Sequence, residues 1–174
     1  LDGARLAYGL AAPDTDVSLA DIARLTDAFY IGGTKCGALC GEAVVFPRGG
    51  MPRHFLTHAK QHGALLAKGR LLGVQFDTLF TDDLYGEVGR TAAAAADELR
   101  RILREAGCTF FRESPTNQQF VVLDNAQVEA LAEGVRFSTW EKLGDGRTVI
   151  RLVTSWSTTP DDLAALKAAL HEVL

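Results

Sequence analysis

Apolar positions along the first 46 residues fall in short unbroken runs, each stopped by glycine or proline. Ala28-Phe29-Tyr30-Ile31 ends in Gly32-Gly33, and Glu42-Ala43-Val44-Val45-Phe46 stops at Pro47. Runs of this length read as parallel strands buried on both faces. Proline cannot donate to a ladder, so the second ends where it does. Ahead of them, Ser18-Leu19-Ala20-Asp21 has the form of a capping box, which starts a helix at Ser18 and carries it to about Leu25. Helix, strand, glycine-rich loop, strand is an α/β order. The loop falls at a carboxyl strand end, where open α/β sheets bind ligands.

The period then changes. Residues 52–80 predict a long helical stretch. Leu84, Val88, Ala92, Ala95, Leu99, Ile102 and Ala106 recur at three- and four-residue spacing, with Gly107 as the stop. Beyond 108 the pattern predicts strands over 109–113 and 119–123 and a helix over 125–133. Runs over 135–142 and 147–156 flank Gly144-Asp145-Gly146, a hairpin signal. Thr159-Pro160-Asp161-Asp162 opens a last helix with Leu163, Leu166, Leu170 and Val173 on its inner face. This division gives an α/β region over 1–80, a connecting helix over 81–107 and a small α+β domain over 108–174.

Composition narrows the function classes. The 174 residues are 47% hydrophobic and 23% charged, the balance of a soluble globular protein. A net charge of -4 gives no footprint for nucleic acid and no basic membrane face. The most apolar stretch, 63–76, is interrupted by Lys68 and Arg70, so no membrane span is expected. Three cysteines, an odd and sparse count, fit free thiols in a reducing cytoplasm. No signal-peptide pattern opens the chain.

Five groups of residues carry candidate chemistry. Lys35 lies in Gly32-Gly33-Thr34-Lys35-Cys36-Gly37. A lysine forms a Schiff base only when its amine is unprotonated, and glycines let a bulky cofactor approach the backbone. Taken alone, it reads first as an ordinary surface lysine in a turn. A nucleotide-binding loop is excluded, because Thr34 stands where that motif needs glycine before lysine. Asp2 and Arg5 are surface charges unless paired with a ligand. Arg151 alternates onto one face of its strand with Val149 and Val153, where a guanidinium needs an anionic partner; a solvent-reaching edge-strand arginine is the alternative. Lys68 and Arg70 read, on their own, as a solvated helix face. His54, His58 and His62 share a helix face at fourfold spacing. With Cys36 or Cys40 they could form a zinc site, but no ligand motif accompanies them, and no metal is expected.

Leu1-Asp2-Gly3-Ala4-Arg5 and, about thirty residues on, Gly32-Gly33-Thr34-Lys35-Cys36-Gly37, with the flanking Asp27-Ala28-Phe29-Tyr30-Ile31, together resemble the threonine aldolase family, pyridoxal-phosphate enzymes of the aspartate-aminotransferase fold (fold type I). The resemblance implies that Lys35 carries pyridoxal 5'-phosphate, Asp2 keeps the ring nitrogen protonated, Arg5 contacts cofactor or substrate anions, and Lys68 or Arg70 brings a cation to the cofactor phosphate or a subunit interface. Ile150-Arg151-Leu152-Val153-Thr154 matches the segment whose arginine holds the substrate carboxylate. The implied reaction is cleavage of L-threonine or L-allo-threonine to glycine and an aldehyde by a homodimer or homotetramer. Another lyase or aminotransferase of this fold, or a non-catalytic α/β domain, are the alternatives. The chain departs from the family at Cys36, where asparagine is usual, and at Ser155-Trp156, where histidine often follows the threonine. Because residue 1 falls inside a motif, the resemblance also implies the C-terminal half of an enzyme. It leaves the phosphate loop and the ring-stacking group to an N-terminal half, and predicts that residues 1–174 alone are inactive.

Overall fold

Asp21 and Ser18 cap each other, and α2 (Leu19–Leu25) follows them as the capping box predicts. A shorter helix, α1 (Leu6–Leu10), precedes it. At five residues it is below the length at which periodicity is readable. The computed structural model describes residues 1–174.

β1 (Phe29–Gly32) and β2 (Glu42–Val45) form a sheet, but they run antiparallel, with Phe29 opposite Val45 and Gly32 opposite Glu42. The expected parallel pairing of these two strands is therefore corrected. Only residues 33–41 join them, and a parallel pair needs a crossover of a dozen residues or more. A parallel partner for β1 does exist, earlier in the chain. The Leu1 nitrogen donates to the Ala28 carbonyl, Tyr30 N–H to Leu1 and Gly32 N–H to Gly3. Both segments advance together, which is the bonding of a parallel pair. β1 thus lies between a parallel neighbour and an antiparallel one.

The stretch 52–80 is not one helix. It breaks into α3 (Phe55–Gln61) and α4 (Arg70–Leu79), because Gly63 turns left-handed at φ 71° and residues 62–69 form the link. α5 (Leu84–Glu105) is a single 22-residue helix, closed by Gly107 at φ 77°. Then come β3 (Thr109–Arg112), β4 (Gln118–Asp124), α6 (Asn125–Ala132), β5 (Ser138–Lys142), β6 (Arg147–Val153) and α7 (Pro160–Val173). The four strands make an antiparallel sheet in the order β3-β4-β6-β5, backed by helices on one face. The class is mixed α/β, as the pattern of runs implied.

Two apolar cores result. One gathers Leu6, Tyr8, Ile22, Phe29, Ile31, Cys36, Leu79, Tyr85 and Val88. The other gathers Leu99, Leu103, Val121, Leu131, Ile150, Leu163, Leu166 and Leu170. α5 feeds both, its first half facing one core and its second half the other. Between them, the Thr154 hydroxyl donates to the Ala92 carbonyl at 3.0 Å, tying the exit of β6 to the middle of α5.

Candidate active site

Glycine decides how close the two N-terminal motifs come. A Cβ on Gly3 would fall 1.7 Å from the Tyr30 carbonyl oxygen, and one on Gly32 2.8 Å from the Ala4 Cα. Neither is tolerable, so residues 1–4 lie against β1 only because both positions lack a side chain. This contact places Asp2 beside the start of the Lys35 loop.

The Asp2 carboxylate is exposed and held below the usual carboxylate range. A hydrogen bond from Tyr30 is the main cause, followed by the Ala4 N–H at 3.0 Å, with attraction to Lys35 adding to them. The Tyr30 phenol is pushed up to about 12 in return, first by its hydrogen bond to Asp2. Lys35 is exposed at the end of β1. Its loop is closed by the Cys36 and Ala38 N–H groups, which both donate to the Gly33 carbonyl at 2.8 and 3.1 Å. Arg5 is half-buried at the start of α1 and lies within electrostatic reach of Tyr8.

Arg151 is also half-buried, but its partners lie on its own sheet. It donates to Gln118 Oε1 at 3.2 Å and to Ser138 Oγ at 3.3 Å, and stands over the Trp140 ring at 5.7 Å. β6 is an interior strand, so the edge-strand reading of Arg151 is corrected. Its Nε is buried without a partner. The structure therefore brings Asp2, Arg5 and Lys35 together and holds Arg151 in the second sheet. The connection between them is Trp156, just past β6, whose ring lies 3.6 Å from where a Gly37 Cβ would sit.

Comparison with known proteins bears on this arrangement. No family model matches the chain. It is 29% identical over 176 residues to the low specificity L-threonine aldolase of Pseudomonas aeruginosa, covering 100% of this chain and 50% of that protein. A Pseudomonas sp. protein of the same name is 28% identical over 150 residues, 85% of this chain and 42% of that one. Among solved structures, Leishmania major threonine aldolase superposes with a TM-score of 0.93 at 41% identity, over 99% of this chain and 50% of that one. The chain is similar to threonine aldolases. It spans half or less of the length of the curated relatives it matches. Serine palmitoyltransferase from Sphingomonas wittichii, with a TM-score of 0.61 and 14% identity over 85% of this chain and 39% of its own, shares the fold.

The remaining candidates lie apart. Lys68 is exposed in the turn before α4, and Arg70 is exposed at that helix's first residue. Only His58 is inside α3: His54 precedes the helix at φ 63° and His62 follows it, so the three do not form the expected helix face. No three His, Cys, Asp or Glu side chains gather as a metal site. All three cysteines are free, with Cys36 buried. Two residues of the site escaped the sequence reading, Tyr30 and Tyr8. Tyr30 was visible in principle, since alternation turns it away from buried Phe29 and Ile31. Tyr8 belongs to the unforeseen α1.

Proposed function

We propose that the complete protein is a pyridoxal-phosphate-dependent aldehyde-lyase that cleaves the Cα–Cβ bond of β-hydroxy-α-amino acids, L-threonine or L-allo-threonine giving glycine and acetaldehyde. The observation that carries this reading is the 41% identity to Leishmania threonine aldolase over 99% of the chain. The donor set fits the cofactor: an exposed primary amine on Lys35 suits its aldehyde, and a carboxylate held ionised at Asp2 suits a protonated ring nitrogen.

When bound, pyridoxal phosphate supplies a ring that takes up the electron pair of the breaking bond. The chain's residues do the rest. Lys35 would hold the cofactor through its amine. Asp2 would keep the ring nitrogen's proton in place, with the Tyr30 hydroxyl steadying the Asp2 carboxylate. Arg5 lies near the anionic groups. Arg151 clamps the substrate carboxylate through its two-pronged guanidinium, which fixes the orientation of the bond to be broken. Lys68 or Arg70 contributes a cation to the phosphate or to a partner subunit of a homodimer or homotetramer. In this reading residues 1–80 belong to the large cofactor domain, 81–107 to a connecting helix and 108–174 to the small domain.

The test uses the full-length protein. Borohydride reduction with pyridoxal phosphate is expected to leave a pyridoxyl group on the peptide containing Lys35, and L-threonine is expected to release acetaldehyde. Lys35→Ala should remove both. Labelling of Lys35 without acetaldehyde would point to another substrate on the same fold. Absence of label would remove the cofactor assignment itself.

A further inference from the structure

The Tyr8 hydroxyl is buried beneath the Lys35 loop and donates to the Lys35 carbonyl. Tyr8 itself is 3% exposed, on α1, which starts directly after Asp2-Gly3-Ala4-Arg5. The Trp156 backbone N–H faces the same hydroxyl, and Cys36 lies beside it. One oxygen thus touches the Asp2-bearing segment's helix, the Lys35 loop and the chain leaving β6. The loop is otherwise held by its own turn bonds to the Gly33 carbonyl and, farther along, by Gln75 of α4, whose side-chain oxygen accepts from the Leu39 N–H at 2.6 Å.

We propose that Tyr8 is a positioning residue for Lys35: its hydroxyl ties the Lys35 backbone to the helix that follows the Asp2 motif, and so sets where the amine stands relative to Asp2. The proposal rests on the reading of Lys35 as the cofactor lysine. The physical argument is about lost alternatives. Lys35 stands exposed in a turn bounded by Gly33 and Gly37, which leave the backbone a freedom that buried Cys36 limits on one side only. A buried donor on its carbonyl removes that freedom at the one residue whose side chain must meet a ligand. Without the oxygen, the carbonyl loses its partner while the apolar packing of the ring stays.

A second tyrosine makes the experiment decisive. Tyr85 lies in the same core at 6% exposure, and its buried hydroxyl faces the Ala7 backbone and makes no bond to the Lys35 loop. In the full-length protein, Tyr8→Phe, Tyr85→Phe and wild type are titrated with pyridoxal phosphate, reduced with borohydride, and the label on each lysine peptide is counted by mass spectrometry. Unfolding midpoints are measured without cofactor. Tyr8→Phe is expected to raise the half-saturating concentration for Lys35 labelling about fivefold, equivalent to about 1 kcal/mol, and to spread label toward Lys60 and Lys68. Tyr85→Phe is expected to label as wild type does. If Tyr8→Phe lowers the unfolding midpoint yet labels Lys35 as wild type does, the hydroxyl is structural only and the proposal falls. Equal losses in both variants would also overturn it, since packing rather than the bond to Lys35 would then be responsible. If wild type itself takes no label at Lys35, the cofactor reading fails first and the positioning role with it.

Discussion

At the residue scale, the site depends on what surrounds Asp2. Its carboxyl is lowered chiefly by Tyr30, so Tyr30→Phe should let it rise toward the ordinary value of about 3.9. A carboxyl lowered on folding adds stability above its unfolded pKa and loses it as pH falls through the lowered one. The contribution of Asp2 is thus complete at neutral pH and fades only in acid, below about pH 4. An NMR titration of the Asp2 carboxyl in wild type and Tyr30→Phe checks this, and identical curves would refute it. Asp2, Arg5 and Lys35 were legible as candidates because charged residues beside glycines in a recognisable spacing stand out. Tyr8 and Tyr30 were not, because a tyrosine among apolar residues looks like core until its hydroxyl is seen to meet something. Arg151 was legible as a residue, yet its partners Gln118, Ser138 and Trp140 come from two other strands, and no single-strand pattern reveals them.

At the element scale, strong caps and clear periods survived into the structure. The capping boxes at Ser18 and Thr159, the glycine stop after α5 and the hairpin at Gly144-Asp145-Gly146 each act locally, so the sequence beside them suffices. Pairing direction is not local, and there the reading of β1 with β2 failed. The 52–80 stretch failed for another reason: its apolar residues are mostly exposed, so no core face imposes one continuous helix. Helix-to-helix spacing can be tested at Gly89 of α5. A Cβ there would lie 2.5 Å from the Ala7 carbonyl oxygen and 3.0 Å from the Ala11 Cβ. Gly89→Ala should therefore push α1 off α5 and cost about 1–3 kcal/mol in denaturant unfolding. Gly144→Ala, with no atom within 4 Å of the new Cβ, should change stability by less than about 0.5 kcal/mol. Equal effects would refute this account of α1 seating.

At the scale of the whole molecule, stability is uneven. α3 buries no residue, whereas α5 buries eight, from Tyr85 to Leu103. Native-state hydrogen exchange of the 174-residue chain should therefore show α5 among the last amides to exchange and α3 among the first. Comparable protection of the two would contradict the two-core description. No helix here is long and apolar enough to cross a membrane. The 22 residues of α5 span about 33 Å, and the bond from Thr154 grips them at Ala92, nearer one end. That makes α5 a lever on a fulcrum. A tilt of about 5° there swings the Glu105 end by about 2 Å and the Leu84 end by about 1 Å the opposite way. A misplacement of about 1 Å at a reacting group can cost about a hundredfold in rate. If Lys35 holds the cofactor as proposed, a poorly seated leucine in the second core would disturb it without ever coming near it.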